Sequence, residues 1–134
     1  MNIAATGINF IRQTEVVGRL RQLLPADAVL HAEEDTRSYE CDGLSAYRQL
    51  PMVVALPSSE EEVRQVLATC RELKVPVVAR GAGTGLSGGA LPMGDGVLLS
   101  LAKMRRILAL DPVARTARVQ PGATNLAMLD DLGR

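Results

Sequence analysis

Pro76-Val77-Val78-Ala79-Arg80-Gly81-Ala82-Gly83-Thr84-Gly85-Leu86-Ser87-Gly88-Gly89-Ala90 is an apolar run that passes directly into a glycine loop. The run from Val75 to Ala79 predicts a buried strand. Five glycines fall in the nine residues 81–89, and seven of the chain's twelve lie between Gly81 and Gly96. Glycine accepts positive φ and lets the backbone come close to a ligand. Successive N–H groups in such a turn converge into a nest for an anion, and phosphate is the obvious guest. The hydroxyls of Thr84 and Ser87 are interleaved with the glycines. The plain alternative is a strand connection that binds nothing.

Three phosphate templates compete for this loop. A P-loop ends in Gly-Lys-Ser or Gly-Lys-Thr, and the chain has no such triplet. The pattern GxGxxG does occur from Gly83 to Gly88, with Asp111 at a compatible distance downstream. That fingerprint works only where the glycines open a helix whose N-terminus meets the pyrophosphate. Gly89, Pro92, Gly94 and Gly96 break any such helix. What remains is a loop between two strands that holds a pyrophosphate with its own N–H groups.

Upstream, the apolar run Pro51 to Pro57 predicts a second buried strand. Ser58 and Glu61 have the spacing of a capping box. The helix they open carries Val63, Val66, Leu67, Cys70 and Leu73 on one face, with Glu60, Glu61 and Glu62 in a first turn that favours acids. Strand, helix and strand over 51–79 predict a parallel pair with a right-handed crossover. An amphipathic helix is expected over 14–24, ended by Pro25, and residues 31–50 read as loop with a turn or two.

Downstream, a strand is expected over 97–101. A hairpin follows, with strands at 107–110 and 116–120 turned by Asp111-Pro112. Pro121-Gly122 breaks it, and a helix starts at Thr124-Asn125 with Leu126, Leu129 and Leu132. The fold class is α+β. The chain stops at Arg134, about two helical turns in. The domain is therefore expected to be incomplete at its C-terminus, with 1–34 an N-terminal helical segment and 35–134 the first part of the domain.

Composition narrows the function. The chain has 134 residues, and fifteen Lys and Arg balance fifteen Asp and Glu. Net charge zero removes the electrostatic case for nucleic acid. Aromatics are 2%, so base-stacking platforms are not expected. Cys41, Cys70 and the single His31 do not make a zinc site, and no metal is expected. No run approaches the roughly 18 apolar residues of a membrane span, and no secretory signal precedes the first helix. The expected location is the cytoplasm.

The stretch 76–90 resembles the pyrophosphate loop of FAD-binding domains of the vanillyl-alcohol oxidase, or PCMH, type. More narrowly, it resembles the branch containing the FAD-binding subunit of glycolate oxidase and the D-lactate and D-2-hydroxyglutarate dehydrogenases. Tyr39 through Asp42-Gly43-Leu44, Arg48, Pro51, Ser58 to Val63, Leu99 to Leu101, Met104, Ile107 and Val119-Gln120-Pro121-Gly122 extend the likeness. The resemblance implies two α+β subdomains with FAD between them, this chain holding the first and the start of the second.

It further implies that Arg80, Gly81, Ala82, Gly83, Thr84, Gly85, Leu86, Ser87 and Gly88 meet the FAD pyrophosphate, mainly through backbone, with Pro121 and Gly122 beside the cofactor. Some relatives attach FAD through a histidine in or near the loop. Thr84 stands where some of them carry it, so a noncovalent flavin is expected. The implied reaction is oxidation of a small 2-hydroxy acid such as glycolate or D-lactate, by hydride transfer to the flavin. The substrate and any partner subunits of the glycolate-oxidase kind would be met through other regions, so no catalytic residue is expected in this chain. The rival readings are a non-enzymatic nucleotide- or phosphate-binding module and an inactive subunit of a redox complex.

Overall fold

The computed structural model describes residues 3–132. The first helix, α1, spans Ile3–Leu20, longer than the expected segment. Val16, Val17, Leu20 and Leu24 are buried, as their spacing required. A short strand, β1 (Val29–Leu30), follows a single helical turn. Residues 31–50 contain the short α2 (Glu33–Thr36) and another turn, then irregular chain.

Next come β2 (Val53–Ala55), α3 (Glu60–Glu72), β3 (Val77–Arg80) and β4 (Val97–Ser100). The hairpin strands are β5 (Ile107–Asp111) and β6 (Thr116–Val119), and the last helix is α4 (Asn125–Leu132).

The main sheet has the order β1-β2-β4-β3. β2 and β3 both run parallel to β4, and β1 is antiparallel to β2. The strands of the 51–79 unit are therefore parallel in direction but are not neighbours. The strand after the glycine loop enters between them, because its residues Val97, Leu98 and Leu99 are apolar on both faces and belong at the centre. β5 and β6 form a separate two-stranded sheet.

The core is built from Val16, Leu20, Val29, Val53, Val54, Val66, Cys70, Val97 and Leu98 among others. Residues of the N-terminal segment thus share one core with β2 and β4. Burial pushes the Cys70 thiol up to about 11, so it behaves as a small apolar residue. Leu67, expected on the inner face of α3, is 43% exposed.

The cap of α3 lies one residue later than its sequence spacing indicates. Ser59 is the N-cap, and its hydroxyl accepts from the Glu62 N–H at 3.2 Å. The Glu62 carboxylate accepts from the Ser58 N–H at 2.7 Å and from its hydroxyl at 3.0 Å. Ser58 and Ser59 divide the two halves of the box, with Glu62 rather than Glu61 as the acid.

Among the described residues no helix is long and apolar enough to cross a membrane.

Candidate functional site

Parallel neighbours cannot be joined by a tight turn, and the link usually contains a helix. Between β3 and β4 the link is the segment 81–96, which has no helix. It leaves the carboxyl end of β3, the edge where open α/β sheets place their ligands. Gly83 and Gly88 have φ of +76° and +72°. These are the two positions where the loop needs glycine for its backbone alone.

The loop keeps its donors free. Among the described residues, no N–H from Gly81 to Gly89 donates to a protein acceptor. Thr84 and Leu86 are exposed, and so are Gly85 and Ser87. Buried loops satisfy such groups internally, and this exposed one leaves them unpaired. A row of backbone donors around two left-handed glycines fits a pyrophosphate, which is all acceptor.

Pro121 meets this loop at Gly81, forty positions earlier in sequence, while Gly122 packs against Leu101 and Met104. The Gly122 N–H donates to the Met104 carbonyl at 2.8 Å, and the Leu101 N–H donates to the Arg80 carbonyl at 2.8 Å. A Cβ on Gly81 would stand 2.6 Å from the Pro121 carbonyl oxygen. One on Gly122 would stand 2.2 Å from the Leu101 carbonyl oxygen. Both glycines are therefore required by close backbone approach. Beside this junction Ala82 and Thr84 face Ala123, Thr124, Asn125 and Leu126 across a cleft of about 480 Å³. Thr124 caps α4, its hydroxyl accepting from the Ala127 N–H at 3.2 Å.

Arg80 has turned inward. It is 7% exposed, its Nη2 donates to the carbonyls of Tyr39 (3.1 Å) and Ala90 (2.9 Å), and its guanidinium lies 6.0 Å from the centre of the Tyr39 ring. Burial lowers its pKa, against the opposing effect of Asp42, Cys41 and Tyr39. Asp42 is buried as well, accepting from the Leu44 N–H at 2.8 Å and from the Ala90 N–H at 3.4 Å. Gly43 lies against the loop, where a Cβ would meet the carbonyl oxygens of Gly85 and Thr84 at 2.7 and 2.9 Å.

The residues singled out in the sequence as one loop and one distant turn are thus brought together. Two groups escaped that reading. The support from Tyr39, Asp42 and Gly43 left only one local signal, the Asp42-Gly43-Leu44 turn in which the carboxylate bonds two residues ahead. The opposite wall, Ala123 to Leu126, left none beyond a helix start. His31 lies elsewhere, its ring Nε2 3.3 Å from Arg21 Nη2. Among the described residues no cluster of three or more His, Cys, Asp or Glu could hold a metal.

Comparison with known proteins agrees with this site. The family model described as "FAD binding domain" matches residues 51–132. The chain is 54% identical over 118 residues to the glycolate oxidase subunit GlcD of Escherichia coli (strain K12), covering 88% of this chain and 24% of the relative. It is 35% identical over 121 residues to a D-lactate dehydrogenase of Anaerostipes hadrus, covering 90% of this chain and 24% of that one. The crystal structure of p-cresol methylhydroxylase superposes with a TM-score of 0.76 at 25% identity, over 91% of this chain and 24% of the other. The chain therefore spans about a quarter of the length of these relatives. A matched loop, the α+β architecture around it and a family model covering more than half of the residues lead to one result: the chain belongs to the FAD-binding-domain family.

Proposed function

We propose that this chain is the cofactor-holding front section of an FAD-linked oxidoreductase that oxidises a small 2-hydroxy acid of the glycolate or D-lactate kind. The observation that carries the reading is the glycine loop whose N–H groups from Gly81 to Gly89 have no protein acceptor, with Gly81 packed against Pro121. The backbone from Arg80 through Gly81, Ala82, Gly83, Thr84, Gly85, Leu86 and Ser87 to Gly88 would cradle the pyrophosphate. Pro121 and Gly122 would set the path of the cofactor beyond it, with residues 35–134 forming the first part of the domain. When bound, FAD supplies the hydride acceptor. The chain's own residues bind and orient it, and none is assigned a catalytic role. This section holds the flavin noncovalently, since Thr84 offers no ring nitrogen and His31 lies away from the cleft.

The names of the relatives support the substrate class, and GlcD's being a subunit supports further subunits of that kind as partners. A self-contained phosphate-binding module is disfavoured by the apolar surface left open on α4 and the hairpin. Leu126 is 68% exposed, Leu129 64% and Val113 95%. Oxidation of glycolate or D-lactate with an artificial electron acceptor is expected from the complete gene product, and no turnover from residues 1–134 alone. A complete product that holds FAD yet oxidises neither acid would return the reading to a binding module.

A further inference from the structure

Arg80 and Asp42 grip the far end of the glycine loop from both sides of one residue. Arg80 donates to the Ala90 carbonyl, and Asp42 accepts from the Ala90 N–H. Arg80 opens the loop and Ala90 closes it, so the first bond ties the loop's two ends together. The second bond from Arg80, to the Tyr39 carbonyl, fastens both ends to the segment that carries Asp42 and Gly43. Gly43 in turn lies against Thr84 and Gly85, in the middle of the loop. The aliphatic stem of Arg80 runs close to Gly83, where an added Cβ would meet its Cδ at 3.4 Å.

The two hydrogen bonds of Arg80 come at a cost. Its Nε is buried and has no hydrogen-bond partner, which is a cost that a smaller or apolar residue would not carry. The cleft itself is lined by Ala82, Thr84 and Ala123 to Leu126, not by Arg80.

We propose that Arg80 and Asp42 are positioning residues that hold the loop in its anion-ready shape before any ligand arrives. The inference rests on the reading of the loop as the FAD pyrophosphate site. Its physical basis is entropy. Glycine-rich segments lose the most conformational freedom on ordering, and a loop already ordered by its frame no longer loses it during binding.

The test is FAD titration of the flavin-free complete protein as wild type, Arg80→Lys, Arg80→Met and Asp42→Asn. Arg80→Met and Asp42→Asn are expected to weaken FAD by about 10- to 100-fold, with Arg80→Lys between them and wild type. The salt dependence of the affinity stays that of wild type, because neither side chain touches the phosphates. Thermolysin cleavage at the exposed Leu86 of the flavin-free protein speeds up in the same order.

Unchanged FAD affinity in both Arg80→Lys and Asp42→Asn overturns the proposal. So does a flattened salt dependence in the Arg80 variants together with wild-type behaviour of Asp42→Asn, which would mark Arg80 as a direct phosphate contact. If Arg80→Met does not fold, Arg80→Lys and Asp42→Asn decide the matter, the second from a different segment. Wild-type protein that binds no FAD overturns the cofactor site itself, a result separate from failure of the variants.

Discussion

Gly83→Val is expected to abolish measurable FAD binding while leaving the fold in place. Gly83 sits at φ +76°, where a β-branched residue is strained by about 1–3 kcal/mol. The loop is exposed and adds nothing to the core, so the strain is relieved by moving the loop rather than by unfolding the sheet. Once Gly83 leaves the left-handed region, the N–H groups on either side no longer converge. A weakening of at least about 100-fold corresponds to some 2.7 kcal/mol, the scale of one or two lost charge-assisted hydrogen bonds. Thermal melting of the flavin-free variant should stay close to wild type. Equal FAD affinity in variant and wild type would remove the loop from the site.

Gly122→Ala is expected to act the other way, on stability first. The new Cβ would stand 2.2 Å from the Leu101 carbonyl oxygen and 2.9 Å from that of Met104. Both are backbone atoms, so no side chain can swing aside. The Gly122 N–H bond to Met104 and the docking of the hairpin against the end of β4 must give way together. Overpacking of this kind costs about 3 kcal/mol or more, enough to lower the melting temperature by roughly 10 °C in a domain of this size. Gly85→Ala is the control, since its Cβ would meet nothing within 4 Å. A Gly122→Ala protein that melts with wild type would show that the junction is looser than its geometry.

Local pattern carried much of this fold into the sequence. Prolines at both ends mark the β2 region, the apolar run marks β4, and the hairpin turns at Asp111-Pro112. Strand order was not legible. Nothing in residues 97–100 says that they enter between β2 and β3 rather than beside β3, because Val53 to Ala55 and Val77 to Ala79 are apolar runs as well. The cap of α3 slipped by one because Ser58-Ser59 and Glu60-Glu61-Glu62 offer two boxes in adjacent registers.

At the site, the glycine loop declared itself through density alone, since seven glycines in sixteen residues have no use in regular structure. The bonds from Tyr39, Asp42 and Ala90 to the loop's frame did not declare themselves. The resemblance places Arg80 with the loop at the pyrophosphate, and only the burial of its guanidinium against two carbonyls shows that its side chain faces inward.

Competition among FAD, ADP and riboflavin for the flavin-free complete protein tests the pyrophosphate cradle most directly. ADP carries the pyrophosphate without the flavin ring, and riboflavin carries the ring without phosphate. FAD displaced by ADP and left in place by equal riboflavin is the expected result. Riboflavin that binds as tightly as FAD, with ADP inert, would put the affinity on the ring system and contradict the role given to residues 81–88.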